Sequence, residues 1–283
     1  MITVIFLPVG KAQAATLTIA SASASTSRPS ASAPLTTNQL AATTSAQVAD
    51  NGSIYLASDS ATFRDDTGET IDNAKNVASM SAQLSISGLG NTRTIYFTNT
   101  ITNTHHKGDP VVVAITATHH LRFQVINTVP VGGSIKIQFP PLTSGDANNA
   151  ASPSASTFQL NNLVIGNVKV QGLAGAATFD MSTTAPAAGT SPTITITLTG
   201  TTFIPANQAV TVAIGCSALT GHTCSTPVPT IINPTKTAAA GTSDATAGWP
   251  ITVTTRDVAG AVDLDSVKLR VATIESVQVY ATV

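Results

Sequence analysis

Hydrophobic and polar positions alternate most regularly over residues 116–141, TATHHLRFQVINTVPVGGSIKIQFPP. In the first run Leu121, Phe123 and Val125 share one face, with Arg122 and Gln124 on the other. In the second, Ile135, Ile137 and Phe139 alternate with Ser134, Lys136 and Gln138. A period of two is that of a β-strand with one buried face. Between the runs Pro130 presets φ, and Gly132 and Gly133 permit the positive φ of a tight reversal. The pattern predicts a β-hairpin at the centre of an antiparallel sandwich. The alternation recurs at 193–198, TITITL, with Ile194, Ile196 and Leu198 facing inward and Thr193, Thr195 and Thr197 outward. Threonine is β-branched and suits a pleated surface in contact with water. Further strands are expected at 158–173, 177–181, 209–214, 251–255, 267–272 and 276–283, with a turn at 205–208 and an extended stretch at 227–234.

The amino-terminal half is less periodic. Residues 15–19, ATLTI, read as a short strand. Residues 21–46 are mostly Ala, Ser and Thr, and Pro29 and Pro34 argue against a helix or a central strand. That stretch is either extended along a domain edge or flexible. Short strands are expected within 53–63, at 94–99 and at 110–115, with a turn at 63–69 and a loop at 105–110. Residues 71–84 fit two readings. Ile71, Ala74, Val77 and Met80 are near helical spacing, whereas 77–80 also suits a strand. Residues 50–113 therefore read as a small β-module inserted into a main sandwich made of 15–49 and 114–283.

Residues 1–14, MITVIFLPVGKAQA, combine an apolar run with a small-x-small ending, Ala12-Gln13-Ala14. This predicts a secretory signal peptide cleaved before Ala15, the alternative being an amino-terminal strand. The missing basic flank suggests that the natural start lies further upstream. At the other end Val277, Val279 and Ala281 alternate up to the last residue. Either this strand closes the sheet or the chain continues into another module, and the second reading is favoured. No run of about 20 apolar residues follows the leader, so no transmembrane helix is expected.

Composition sharpens this. Hydrophobic residues are 42% of the 283, enough to fill a core, while charged residues are only 10%. An average globular domain carries roughly 25%. The surface must therefore be built from Ser, Thr, Asn, Gln and Ala. Net charge is -1, and the 13 Lys and Arg are scattered, which argues against a nucleic-acid partner. The two cysteines, Cys216 and Cys224, stand eight residues apart across a turn. In an exported protein they are expected to form a disulfide; the alternative is two buried thiols.

Candidate chemistry is sparse. His105-His106 and His119-His120 are adjacent pairs, and neighbours on a strand point to opposite faces, so one pair cannot close on one ion; a metal site would need the loop to fold back and bring His105 to His119. The five histidines read as exposed polar residues near strand ends. Asp257, Asp263 and Asp265 form one carboxylate cluster, and Asp65, Asp66 and Glu69 another. Both are weak calcium candidates, since Ca²⁺ takes six to eight oxygens, yet neither matches a known calcium loop. Turns in which Asp bonds nearby backbone N–H groups are the simpler reading. There is no G-x-S-x-G elbow, P-loop or G-x-G-x-x-G pattern. Trp249 before Pro250 reads as core or edge packing rather than a sugar platform. No catalytic residue, cofactor site or firm metal site is expected, and the chain is read as a non-enzyme.

The segments ATLTIAS and SRPS, then HHLRFQVINTVPVGGSIKIQFP, then VAIG, IINPTKT and ITVTTRD, and finally ESVQVYATV resemble modular, Thr/Ala-rich, immunoglobulin-like β-sandwich surface proteins of bacteria. The resemblance spans about residues 15–30 and 115–283. It implies an all-β, antiparallel immunoglobulin-like sandwich, secretion, and a role in cell-surface structure or adhesion. It carries over no catalytic residue. The expected function is an extracellular structural subunit of a surface layer, stalk or filament, assembling through strand edges by self-association or with other cell-surface proteins. Residues 15–46 are the candidate donor strand and 277–283 a candidate edge. The alternative is an adhesin or binding module that takes a glycan or protein through loops such as 143–156 and 216–226.

Overall fold

A computed structural model describes residues 15–26, 30–49, 61–64, 71–74, 77–83, 92–97, 100–113, 115–143, 157–160, 163–234, 248–258, 260 and 262–271. The expected leader, the loop at 144–156, the Asp65–Asp66–Glu69 cluster and the strand at 276–283 lie outside these residues. The described chain is all-β; the one helical element in it is a 3-10 turn, Ile165–Asn167. No helix in it is long and apolar enough to cross a membrane.

The sandwich is built from two sheets. One runs in the order β1 (Ala15–Thr16), β21 (Asp263–Val271), β20 (Trp249–Arg256), β12 (Ser134–Gln138), β15 (Thr193–Leu198) and β14 (Phe179–Thr184). The other runs β13 (Val168–Gln171), β16 (Ala209–Ile214), β11 (His119–Gln124) and β2 (Thr18–Ala24). All these pairings are antiparallel except β1 with β21. The core lies between the sheets. Ile135, Ile137, Ile194, Ile196, Ile251 and Val253 of the first meet Leu121, Phe123, Val210, Val212 and Ile214 of the second, all buried. Three segments differ from their expected bounds. Residues 158–173 give only the 3-10 turn and β13, the strand expected at 177–181 runs Phe179–Thr184, and β21 starts at Asp263.

The expected central hairpin does not form. β11 and β12 do not pair with each other: β11 lies in the second sheet between β16 and β2, and β12 in the first between β20 and β15. The connection at 125–133 is a crossover from one sheet to the other. It is much longer than the two residues of a tight hairpin. It also makes its own cross-links: Val129 bridges Ile204, and the Gly133 N–H donates to the Pro130 carbonyl at 2.9 Å. Gly132 has φ +79, as a reversal needs, but Gly133 serves a different purpose. A Cβ there would stand 2.7 Å from the Arg256 carbonyl oxygen, so the end of the crossover and the end of β20 approach too closely for any side chain. Two alternating runs present their apolar faces to the same core whether they lie side by side or face to face, and the pattern alone does not separate the two.

Two further sheets use the amino-terminal half. One is ordered β3 (Ala31–Pro34), β9 (Pro110–Val113), β5 (Ala61–Arg64), β6 (Ile71–Ala74); the other β4 (Ser45–Ala49), β8 (Thr92–Phe97), β7 (Val77–Gln83). The ambiguous 71–84 stretch is thus strand wherever it is described. β3 pairs with β9 and β4 with β8, so residues 31–49 belong with the sheets of the inserted stretch. A boundary at residue 50 cuts across both sheets; strand pairing moves it to about residue 30. Among the described residues β3 and β4 are edge strands, as Pro34 requires of its own segment. The chain passes between the two parts beside β10 (Thr116–Ala117) and β19 (Ile231–Ile232). Buried Ser30 ties this junction: its N–H donates to the Pro234 carbonyl at 3.1 Å, and its hydroxyl oxygen accepts the Ile115 N–H at 2.9 Å.

Candidate functional site

The carboxylates singled out in the sequence are held apart by different tasks. Asp265 is fully buried on β21. Its carboxylate accepts the Ile126 N–H at 3.2 Å, the Asn127 backbone N–H at 3.2 Å, the Asn127 side-chain amide at 2.8 Å and the Thr255 hydroxyl at 3.2 Å. It therefore clamps the 125–133 crossover to the far sheet. Asp263 is paired with Arg256 at 2.8 Å on the surface. Asp257 accepts the Val262 N–H at 3.2 Å within the β20–β21 turn. Among the described residues no three His, Cys, Asp or Glu gather closely enough to hold a metal ion. The signal for Asp265 was legible: it shares the inward alternation of Val267, Leu269 and Val271.

Two of the five histidines differ from expectation, while His106 and His222 are exposed as expected. His119 and His105 are fully buried rather than exposed. His119 packs edge-on against Phe158 with ring centroids 5.4 Å apart and against Phe139 at 6.3 Å. Trp249 continues the cluster, 6.2 Å from Phe158, and packs against the core. Among the described residues neither ring nitrogen of His119 has a hydrogen-bond partner. Burial first, then the neighbouring His120, lowers its pKa to about 4. His105 lies 3.8 Å from the buried Asp109, in the other part of the chain. Period two runs through His119, Leu121 and Phe123, and it already placed His119 on the apolar face.

Cys216 and Cys224 form the expected disulfide, with Cα atoms 5.8 Å apart. They staple a hairpin of β17 (Cys216–Thr220) and β18 (Thr223–Pro227). Its tip residue His222 is exposed and meets the Thr211 hydroxyl at 3.3 Å. Such a bond is compatible with an oxidising compartment.

What remains is the sheet edges. An edge strand presents unpaired N–H and C=O groups, and proteins usually guard it with charge, proline or a bulge. The outer edge of β21 past Ser266 carries the exposed Lys268 and Arg270. β13 carries Lys169, and β14 carries Asp180 among Ser and Thr. β2, TIASASA, has no charge and no proline, and its one irregularity is a register shift against β11 between Thr18 and Ser21. Among the described residues no strand lies beyond it. Its inward residues are only Ala20, Ala22 and Ala24. No family model, curated protein or solved structure matches the chain.

Proposed function

We propose that the chain is an extracellular structural protein, a subunit or module of a bacterial cell-surface layer, stalk or filament that assembles through β-strand edges. In this reading the sandwich is immunoglobulin-like, and the sheets of residues 31–113 form a module inserted between β2 and β11. The observation that carries it is β2: a seven-residue edge strand of Thr, Ile, Ala and Ser, without a charged or proline guard, along a whole side of a sheet. Two features support it. With 10% charged residues and a net charge of -1, neighbouring copies repel each other weakly. The disulfide and the absence of a membrane-spanning helix among the described residues are compatible with export.

The test is light scattering with negative-stain electron microscopy across a concentration series, on the full chain exported into an oxidising compartment. Ordered filaments or sheets that grow with concentration are expected. A monodisperse monomer at every concentration overturns the reading.

A further inference from the structure

The amino-terminal segment is a single run that serves both sheets. β1 adds to the first sheet by parallel pairing of Ala15 and Thr16 with Asp265 and Ser266. Leu17 then turns into the core, 2% exposed, its N–H donating to the Ser266 carbonyl at 3.1 Å. β2 continues along the second sheet, Thr18 opposite Gln124 and Ala24 opposite His119. The crossing from one sheet to the other is strained. Ile19, a β-branched residue, has φ +48 and is 82% exposed, and the β2–β11 register shifts beside it. A β-branched side chain in the left-handed region is a conformational outlier held only by its surroundings. Among the described residues those surroundings are thin: one leucine, three alanines, backbone hydrogen bonds and the Thr18–Gln124 side-chain contact. Beyond β2 the chain is pinned again, by reciprocal bonds between Ser25 and Thr118 (2.9 and 3.0 Å) and by the buried Ser30.

We propose that residues 15–24 are an exchangeable strand: they leave their own sandwich and fill the same two edges, with Leu17 in the same core position, of a second copy of this chain. The occupant is fixed by the structure itself, because the slot between β21 and β11 already accepts this sequence in register. Contacts are then the same in closed and exchanged forms except at the pivot near Ser25, so concentration sets the balance. Strain at Ile19 and the small inward residues make the opening step easy. This inference rests on the edge-assembly reading above and names its donor and acceptor.

The experiment uses the double variant Thr18→Cys/Gln124→Cys, at positions opposite each other and already in side-chain contact at 3.1 Å. Assembled and monomeric fractions are separated, oxidised and run on a denaturing, non-reducing gel. Exchange predicts covalent dimers or longer ladders making up most of the assembled fraction, and internally closed monomers in the other. An assembled fraction that yields only internally closed monomers overturns the exchange while leaving edge assembly standing. The absence of an assembled fraction overturns both. A second measurement needs no variant fold: a peptide of residues 15–24 in tenfold excess should reduce the scattering of assembling wild-type chain several-fold, and the same peptide with Leu17→Asp should not. Equal effects of the two peptides contradict the exchange.

Discussion

The centre of the sandwich and its amino-terminal edge use the same backbone hydrogen bonding and differ in what they bury. β11 and β12 place Leu121, Phe123, Ile135 and Ile137 in the core, all essentially inaccessible. Each such side chain contributes roughly 1.5–3 kcal/mol on burial. β1 and β2 place one, Leu17, and otherwise three half-buried alanines. Against that stands the strain at Ile19, of order 1–3 kcal/mol. Within one sheet, this difference predicts that β11 opens only on global unfolding and β2 opens locally. A sheet that holds firmly at the middle and loosely at one edge keeps its fold while offering that edge to a neighbour.

The largest expected effect tests the centre. Phe123→Ala should cost about 3–5 kcal/mol in denaturant unfolding, because a fully buried ring leaves a cavity between two sheets. A loss near 1 kcal/mol would remove the contrast with the edge.

His119 sharpens the same point through pH. Its pKa is lowered from 6.5 to about 4 in the folded chain, so between those values the unfolded chain binds more protons. The stability tied to a neutral His119 is complete above about pH 6.5 and is lost as pH falls toward 4, on the order of 3 kcal/mol. Midpoints of thermal unfolding from pH 7 to 4 should fall more steeply for the wild type than for His119→Leu. Parallel curves would show that the ring is not buried as described.

The smallest effect belongs to the edge. Leu17→Ala should cost about 2 kcal/mol, the low end for a buried leucine, because it sits at the sheet edge with only the half-buried Ala20, Ala22 and Ala24 following it inward. A loss equal to that of Phe123→Ala would make β1 and β2 as integral as β11.

Much of the strand content was legible because alternation is local. TITITL at 193–198 and AVTVAI at 209–214 became β15 and β16 at the expected bounds, and the eight-residue cysteine step closed as a disulfide. Pairing was not legible, since it is decided at a distance. The runs at 121–125 and 135–139 read equally well as hairpin neighbours or as facing strands, and Asp265, more than 120 residues away in sequence, helps hold them in separate sheets. Residues 31–34 and 45–49 carry too few large side chains to announce their partners at 110–113 and 92–97. The burial of His119 and Asp265 was visible in the period of two but was masked by the habit of reading charged or polar residues as surface. The edge itself could be named only as a stretch; its register, the inserted Leu17 and the strained Ile19 needed the structure.

Native-state hydrogen exchange separates the edge from the centre, by comparing the amides of β2 and β12 in one monomeric sample under mild denaturant. The β2 amides are expected to exchange through a local opening, many-fold faster than those of β12 and insensitive to low denaturant, while β12 amides follow global unfolding. If β2 and β12 amides exchange at the same rate and with the same denaturant dependence, the edge is not a separately opening strand, and the comparison on which the account is built fails.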